Sequence, residues 1–146
     1  MDRGPGQVVL VVQEQERVRG ALSKGGVIDI TTTGRSSGRP RRIEIVFHNI
    51  DGRIYISGIP SPTRRDWLAN LEALPELTVH LKGAVHADLL ATARIIDDEA
   101  ERRRILPTIA RNWRRNDLET MVRQSPLIEV TLDPVQSTTD VARTTA

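Results

Sequence analysis

The nine residues from Gly34 to Arg42, GRSSGRPRR, hold four arginines, two serines and two glycines and no acidic residue. These are the parts that hold an oxyanion. Guanidinium groups meet phosphate or carboxylate as a two-pronged fork, while small hydroxyl residues and glycine amides let a ligand approach the backbone closely. A loop that only reverses the chain is served by Asn-Gly or Asp-Gly. Anion binding is therefore the first chemistry to expect, and the rest of the sequence must say which anion.

Other reactive side chains are few. Cysteine is absent, which excludes a disulfide framework, a thiolate metal site and a cysteine nucleophile, and agrees with a reducing cytoplasm. The histidines are His48, His80 and His86, and their spacing suggests no metal site. No Ser-His-Asp set follows from residue order alone. The formal net charge is only +2, but Lys24 and Lys82 are the only lysines, so nearly all the basic charge is arginine. A high-GC codon bias accounts for an arginine excess overall; the cluster in one turn still requires a local reason.

The elements that must position this turn follow from periodicity. A chain of 146 residues is long enough for one domain with a real core. Val8, Val11, Val12, Val18 and Leu22 recur near helical spacing, predicting a helix over 7–23 that Gly25-Gly26 ends, with a short strand at its Val-rich start as the alternative. Such a helix is expected to pack on its own domain rather than lie on a membrane. Strands are predicted at 27–33, 41–49 and 53–57, the last two joined at Asp51-Gly52. Thr63 is a candidate N-cap for a helix over 64–74 that Pro75 ends.

Two further strands are predicted at 77–81 and 84–96, the second long enough to need a bend or bulge. Asp97-Asp98-Glu99 suits a helix N-terminus, and the pattern continues to Trp113 with a kink or break expected at Pro107. A short helix at 117–124 and a last strand at 127–132 follow; residues 1–6 and the tail from 133 read as loose. The fold class is mainly β with helices (α+β), a six-stranded antiparallel barrel with helices outside it or over one mouth.

The order Thr31, Thr32, Thr33, Gly34, Arg35, Ser37, Gly38, Pro40, Arg41, followed by Ser57, Trp67, Asn70, Leu71, Thr78 and Val79, resembles the deazaflavin-dependent nitroreductase and quinone reductase family over about 27–96. The resemblance implies a split β-barrel related to the FMN-binding pyridoxamine phosphate oxidases. It also implies coenzyme F420, a deazaflavin with a phosphodiester and a poly-glutamate tail, as a hydride carrier. Carried over, the cofactor-binding set is Thr33, Arg35, Ser36, Ser37, Gly38, Pro40, Arg41, Ser57, Gly58, Trp67 and Asn70. Arg35 and Arg41 would meet phosphate or tail carboxylates; Ser57 and the Gly58 amide would meet the ring or ribityl region. Trp67 would pack beside the cofactor or wall its cavity, or else anchor the core.

Three positions depart from the family pattern. Ser36 and Gly58 stand where basic residues are common, and Glu44 stands where relatives often have proline. Arg39, Arg42, Arg64 and Arg65 are the available substitutes for the missing charge. Tyr55 is the only tyrosine, so the C-terminal tyrosines found around the substrate in some members are absent. In hydride transfer the cofactor carries the reactive carbon and the protein need add only position, dryness and a proton. His48, Tyr55, Ser57 and His86 are the candidates for that proton, and a structural role is the alternative for each.

Two other readings compete. A nucleic-acid-binding barrel would need more exposed aromatics than Phe47, Tyr55, Trp67 and Trp113 supply. A split barrel holding FMN or another cofactor without F420-dependent turnover keeps the fold and changes the ligand. The expected partners are a small-molecule substrate and, at most, a second copy of the chain: monomer or homodimer, with no nucleic acid and no stable membrane insertion. The runs Arg102-Arg103-Arg104 and Arg111, Arg114, Arg115 read as solvated helix faces, and Trp113 as core.

Overall fold

The protein is described by a computed structural model covering the backbone of residues 5–134 and the side chains of 12–134. The order is α1 (Pro5–Lys24), β1 (Gly26–Thr33), β2 (Pro40–Ile50), β3 (Arg53–Ser57), α2 (Asp66–Ala73), β4 (Glu76–Lys82), β5 (His86–Ile95), α3 (Glu99–Asn112), α4 (Leu118–Gln124) and β6 (Leu127–Leu132). The expectations for residues 1–4 and 135–146 lie outside the described residues.

The six strands close into an antiparallel barrel in the order β1-β2-β3-β6-β5-β4, with β4 returning to β1. Alternation along each strand decides what faces inward. Ile28 and Ile30 of β1 stand opposite Ile45 and Ile43 of β2, and these join Ile56, Leu77, Val79, Leu81, Leu89 and Ile128 in one interior cluster. Helix α2 places Leu68 and Leu71 in that cluster and closes one mouth. Helix α1 packs Val18, Ala21 and Leu22 against it, and Asn49 Nδ2 donates to the Leu22 carbonyl at 3.1 Å.

A second core lies on the outer wall. Tyr55 and Leu127 face away from the interior and are covered by Ile105, Leu106, Ile109 and Met121 of α3 and α4.

Three local expectations change. Helix α2 begins at Asp66, with Arg65 at the N-cap position and no capping side chain. Thr63 is held back by Ser61, whose hydroxyl accepts from the Thr63 amide and donates to the Thr63 carbonyl. Strand β5 starts at His86, and its ladders run in consecutive register, to β4 as far as Thr92 and to β6 from Ala91. Its length is taken up by sharing two neighbours, so the expected bulge is not needed. Helix α3 is capped by Asp98, which accepts from the Glu101 amide at 2.9 Å, and continues through Pro107. Ile105 and Leu106 before the proline, and Ile109 and Ala110 after it, are buried and anchor both halves against the loss of one backbone bond.

Candidate functional site

The arginine-rich turn bridges β1 and β2. Its backbone closes on itself: Gly34 N–H donates to the Arg39 carbonyl and Gly38 N–H to the Gly34 carbonyl, both at 2.8 Å. Two glycines permit this. Gly38 has φ +70°, and a Cβ at Gly34 would lie 2.6 Å from Ser37 Oγ and 3.3 Å from the Arg39 carbonyl. Ser37 Oγ accepts from the Arg39 amide at 3.1 Å. The Gly38 amide and Ser37 hydroxyl, expected to face a ligand, are therefore engaged in building the turn.

Asn70, buried on α2, fixes the turn to the barrel. Its Oδ1 accepts from the Arg35 amide at 3.1 Å and from Arg35 Nη1 at 2.9 Å, and its Nδ2 donates to Thr32 Oγ1 at 3.2 Å. Arg35 Nη2 also reaches Asp66 at 3.3 Å. Arg35 thus clamps the loop to α2 with much of its bonding capacity already committed.

Arg41 is the opposite case. It stands directly across from Thr32 and so shares the face that carries Ile30 and Ile43 inward. At the mouth of the barrel its side chain makes no hydrogen bond or ion pair among the described residues. Arg39, exposed, is likewise without an acidic partner among them. Arg42, one residue on, faces outward, and its Nε donates to Asp29 at 2.9 Å. There Lys82 bridges Asp29 and Glu44, making a cluster of two bases and two acids. Hydrogen bonds from Lys82 and Arg42 hold the Asp29 carboxyl below its usual range; Asp29 and Glu44 hold the Lys82 ammonium above its own. Glu44 is thus turned away from the turn and neutralised.

Between the turn and α2 lies a cavity of about 670 Å³, lined by Thr32, Gly34, Arg35, Ser36, Ser37, Pro40, Arg41, Arg42 and Ile43 on one side and Asp66, Trp67 and Asn70 on the other; Arg42 lines it with its charge already met by Asp29. Trp67 fills both roles considered for it: half-buried, it packs against the interior cluster and walls this cavity.

Thr33, Gly38, Ser57 and Gly58 do not line it. Thr33 alternates with the buried Thr32 and faces the other way. Ser57 is 2 % exposed, and its hydroxyl donates to the Pro126 carbonyl at 2.6 Å. Gly58 abuts Pro126, whose Cγ would lie 3.0 Å from any Cβ at that position. A close packing contact therefore occupies the place where a lysine side chain would start. The proton-donor candidates also lie elsewhere. His48 is buried under Trp113, with ring centroids 5.1 Å apart, and burial lowers its pKa. Tyr55 belongs to the second core, and His86 is exposed at the β4–β5 turn.

Two arrangements escaped the sequence reading. His80 links Thr31 and Asp88, with Nε2 at 2.6 Å from Thr31 Oγ1 and Nδ1 at 2.7 Å from Asp88 Oδ1. The order resembles a catalytic triad, but Thr31 lies mid-strand between β2 and β4, where ladder bonds engage the backbone. It lacks the free amides of an oxyanion hole and acts as a cross-strand tie. The second is Arg102, buried rather than solvated and bonded to four backbone carbonyls. Its spacing with Ile105, Leu106 and Ile109 (i, i+3, i+4, i+7) marks the buried face of α3 and was the available signal.

No described helix is long and apolar enough to cross a membrane. Comparison with solved structures places the fold among split barrels. An F420-H2 dependent reductase aligns with TM-score 0.54 at 22% identity, over 73% of this chain and 94% of that one. A Clostridium acetobutylicum protein of the pyridoxinephosphate oxidase family, related to general stress protein 26 of B. subtilis, aligns with TM-score 0.60 at 13% identity, over 82% and 84% of the two chains. A domain-swapped dimer aligns with TM-score 0.56 at 20% identity, over 88% and 100%. At the level of sequence, the family model described as F420H(2)-dependent quinone reductase matches residues 7–133. The chain belongs to the F420H(2)-dependent quinone reductase family and is an oxidoreductase of that family.

Proposed function

We propose that the protein binds F420 with its anionic tail against Arg41 and Arg39, and transfers a hydride between the deazaflavin and a small organic substrate. The observation that carries this reading is the uncompensated guanidinium of Arg41 on the inward face of the barrel mouth, beside a cavity walled by Trp67. The residues fit the group: Arg41 lines the cavity without an acidic partner among the described residues, Arg39 stands exposed on the adjoining turn outside its lining, and Trp67 with Ile43 offers an apolar wall. Bound there, F420 would supply the hydride-carrying carbon.

The chain's own residues then bind and orient. Asn70 and Arg35 hold the turn in its shape, so that little ordering remains to be done on binding. Arg41 meets the tail charge. Trp67 and α2 shield one side of the cavity from water, which strengthens the electrostatic contacts inside it. Gly58 and Ser36 contribute no charge, so two arginines take over what basic residues at those positions would do. A homodimer and a monomer are both compatible with this placement, since every contact named lies within one chain.

The test is a binding titration of the purified chain with F420, FMN and a short oligonucleotide, followed by cofactor fluorescence and by anisotropy of the labelled oligonucleotide. F420 is expected to bind in the micromolar range or tighter and the oligonucleotide not at all. Tight FMN binding with no F420 binding would replace the reading with that of an FMN-holding barrel.

A further inference from the structure

A second cavity, of about 370 Å³, opens on the far side of the segment that leads into α2. It shares no lining residue with the cavity beside the arginine turn. Its walls come from the 61–65 loop, the end of β5, the start of α3 and the junction between α4 and β6. The loop is tied to that junction by the Ser61 amide, which donates to the Gln124 carbonyl at 3.1 Å.

The polar groups at its base are incompletely used. The Arg102 guanidinium is 9 % exposed and donates to the carbonyls of Val122, Ile96, Met121 and Ser125. Among the described residues no carboxylate forms an ion pair with it, although Asp97 on the cavity wall acts on it through space, and four bonds leave one of its five N–H groups over. Ser125, held against Arg102 by its own carbonyl, is 4 % exposed, and its Oγ, sealed from solvent, has no hydrogen-bond partner among the described residues. A buried hydroxyl without a partner is costly and calls for an explanation.

Around this base the lining arginines are Arg64, Arg65, Arg102 and Arg123, against the carboxylates Asp97 and Glu99; Arg64 is paired with Glu72, which leaves three arginines against two acids. Arg123 makes no ion pair among the described residues. Arg65 donates only to the neutral Ile59 carbonyl, at 3.0 Å. Of the two acids, Glu99 lies 3.7 Å from Arg103. Leu68, Ile96, Val122 and Leu127 supply an apolar part of the wall, beside the polar Ser61, Thr63 and Gln124.

We infer that this cavity is a second binding site, for a small carboxylic acid with a compact apolar body, its carboxylate received by Ser125, Arg102 and Arg123. The volume lies at the lower end of the range for small-molecule sites, which suits a ligand the size of benzoate. With the Ser125 side chain turned towards the cavity, a ligand carboxylate would satisfy its hydroxyl and the remaining Arg102 N–H, and would add to Asp97 in balancing a buried cation that no carboxylate pairs directly. The site stands independently of the cofactor reading, because neither its residues nor its charge belong to the arginine turn.

The full chain, labelled with ¹⁵N, is titrated with benzoate, with benzyl alcohol as the neutral analogue, and with inorganic phosphate as an anion without an apolar body. Benzoate is expected to give saturable shifts at the Arg102 Nε–H and the Ser125 amide; benzyl alcohol is expected to give none there, and phosphate weaker binding. Ser125→Ala should weaken benzoate about threefold to tenfold, and leave F420 affinity unchanged. Arg123→Gln, at an exposed position, should weaken benzoate similarly and serves if Ser125→Ala does not fold. Equal binding of benzyl alcohol or phosphate, benzoate shifts confined to residues 34–41, or unchanged benzoate affinity in a folded variant would each overturn the proposal.

Discussion

Arg41 and Arg102 are the same residue in opposite circumstances. Arg102 is buried against α4, with four carbonyls on its guanidinium and no ion-paired acid among the described residues. Arg41 stands at the barrel mouth with no partner among the described residues. An arginine whose donors are used within the chain stabilises the fold; one whose donors are unused stabilises only what arrives from outside. The contrast turns on pairing, which neither residue type nor total charge reveals.

The comparison is broken most forcefully at Arg102. Replacing Arg102 with Met removes its four bonds in a poorly hydrated junction, where the Met121 carbonyl keeps a second donor, the Ser125 amide, and is expected to cost about 3 kcal/mol of stability. Urea unfolding measures this, and F420 affinity of the folded protein should be retained. Asn70→Ala comes next. It removes three hydrogen bonds that tie β1, the turn and α2 together, with an expected loss of about 2 kcal/mol and a weaker F420 complex, because the turn is no longer held in shape.

The limits of sequence reading are visible in these two residues. The barrel was legible because β-branched alternation and Gly-, Pro- and Asp-containing turns report directly on strand period and chain reversal. Asn70 was legible as part of a motif, but its work as a tie between Thr32 and Arg35 depends on contacts across 35 and 38 residues of sequence. Arg102 sat inside an Arg-Arg-Arg run that looks uniformly polar, although its spacing with Ile105 and Ile109 marks it as inward. Ser57 and Gly58 were grouped with the turn by resemblance. Whether a strand end faces a cavity or a proline is decided by β6, which is far away in sequence.

A smaller effect separates the two cores by pH. His48 is buried beneath Trp113, with Nε2 unpartnered, and burial lowers its pKa. The folded state therefore favours the neutral ring. This contribution to stability is full above the unfolded pKa of about 6.5 and is lost as pH falls below it, because the unfolded chain binds the proton more readily. Urea midpoints at several pH values should show a steeper acid-side fall for the wild type than for His48→Gln. Parallel curves would remove His48 from the account.

The smallest effect is expected at Arg42. It adjoins Arg41 and lines the same cavity, but its charge is already met by Asp29 in a cluster where Lys82 balances Glu44. Exposed pairs of this kind contribute little to stability, and Arg42→Ala should change F420 affinity by less than about twofold.

These neighbours give the most direct test of the central claim, that an unpaired arginine on the inward face of the barrel mouth holds the cofactor's anionic tail. F420 is titrated by fluorescence into wild type, Arg41→Ala and Arg42→Ala, each verified as folded by its melting curve. Arg41→Ala is expected to weaken binding about tenfold to a hundredfold while Arg42→Ala stays close to wild type. Equal losses in the two variants, or undiminished affinity in Arg41→Ala, would contradict the claim.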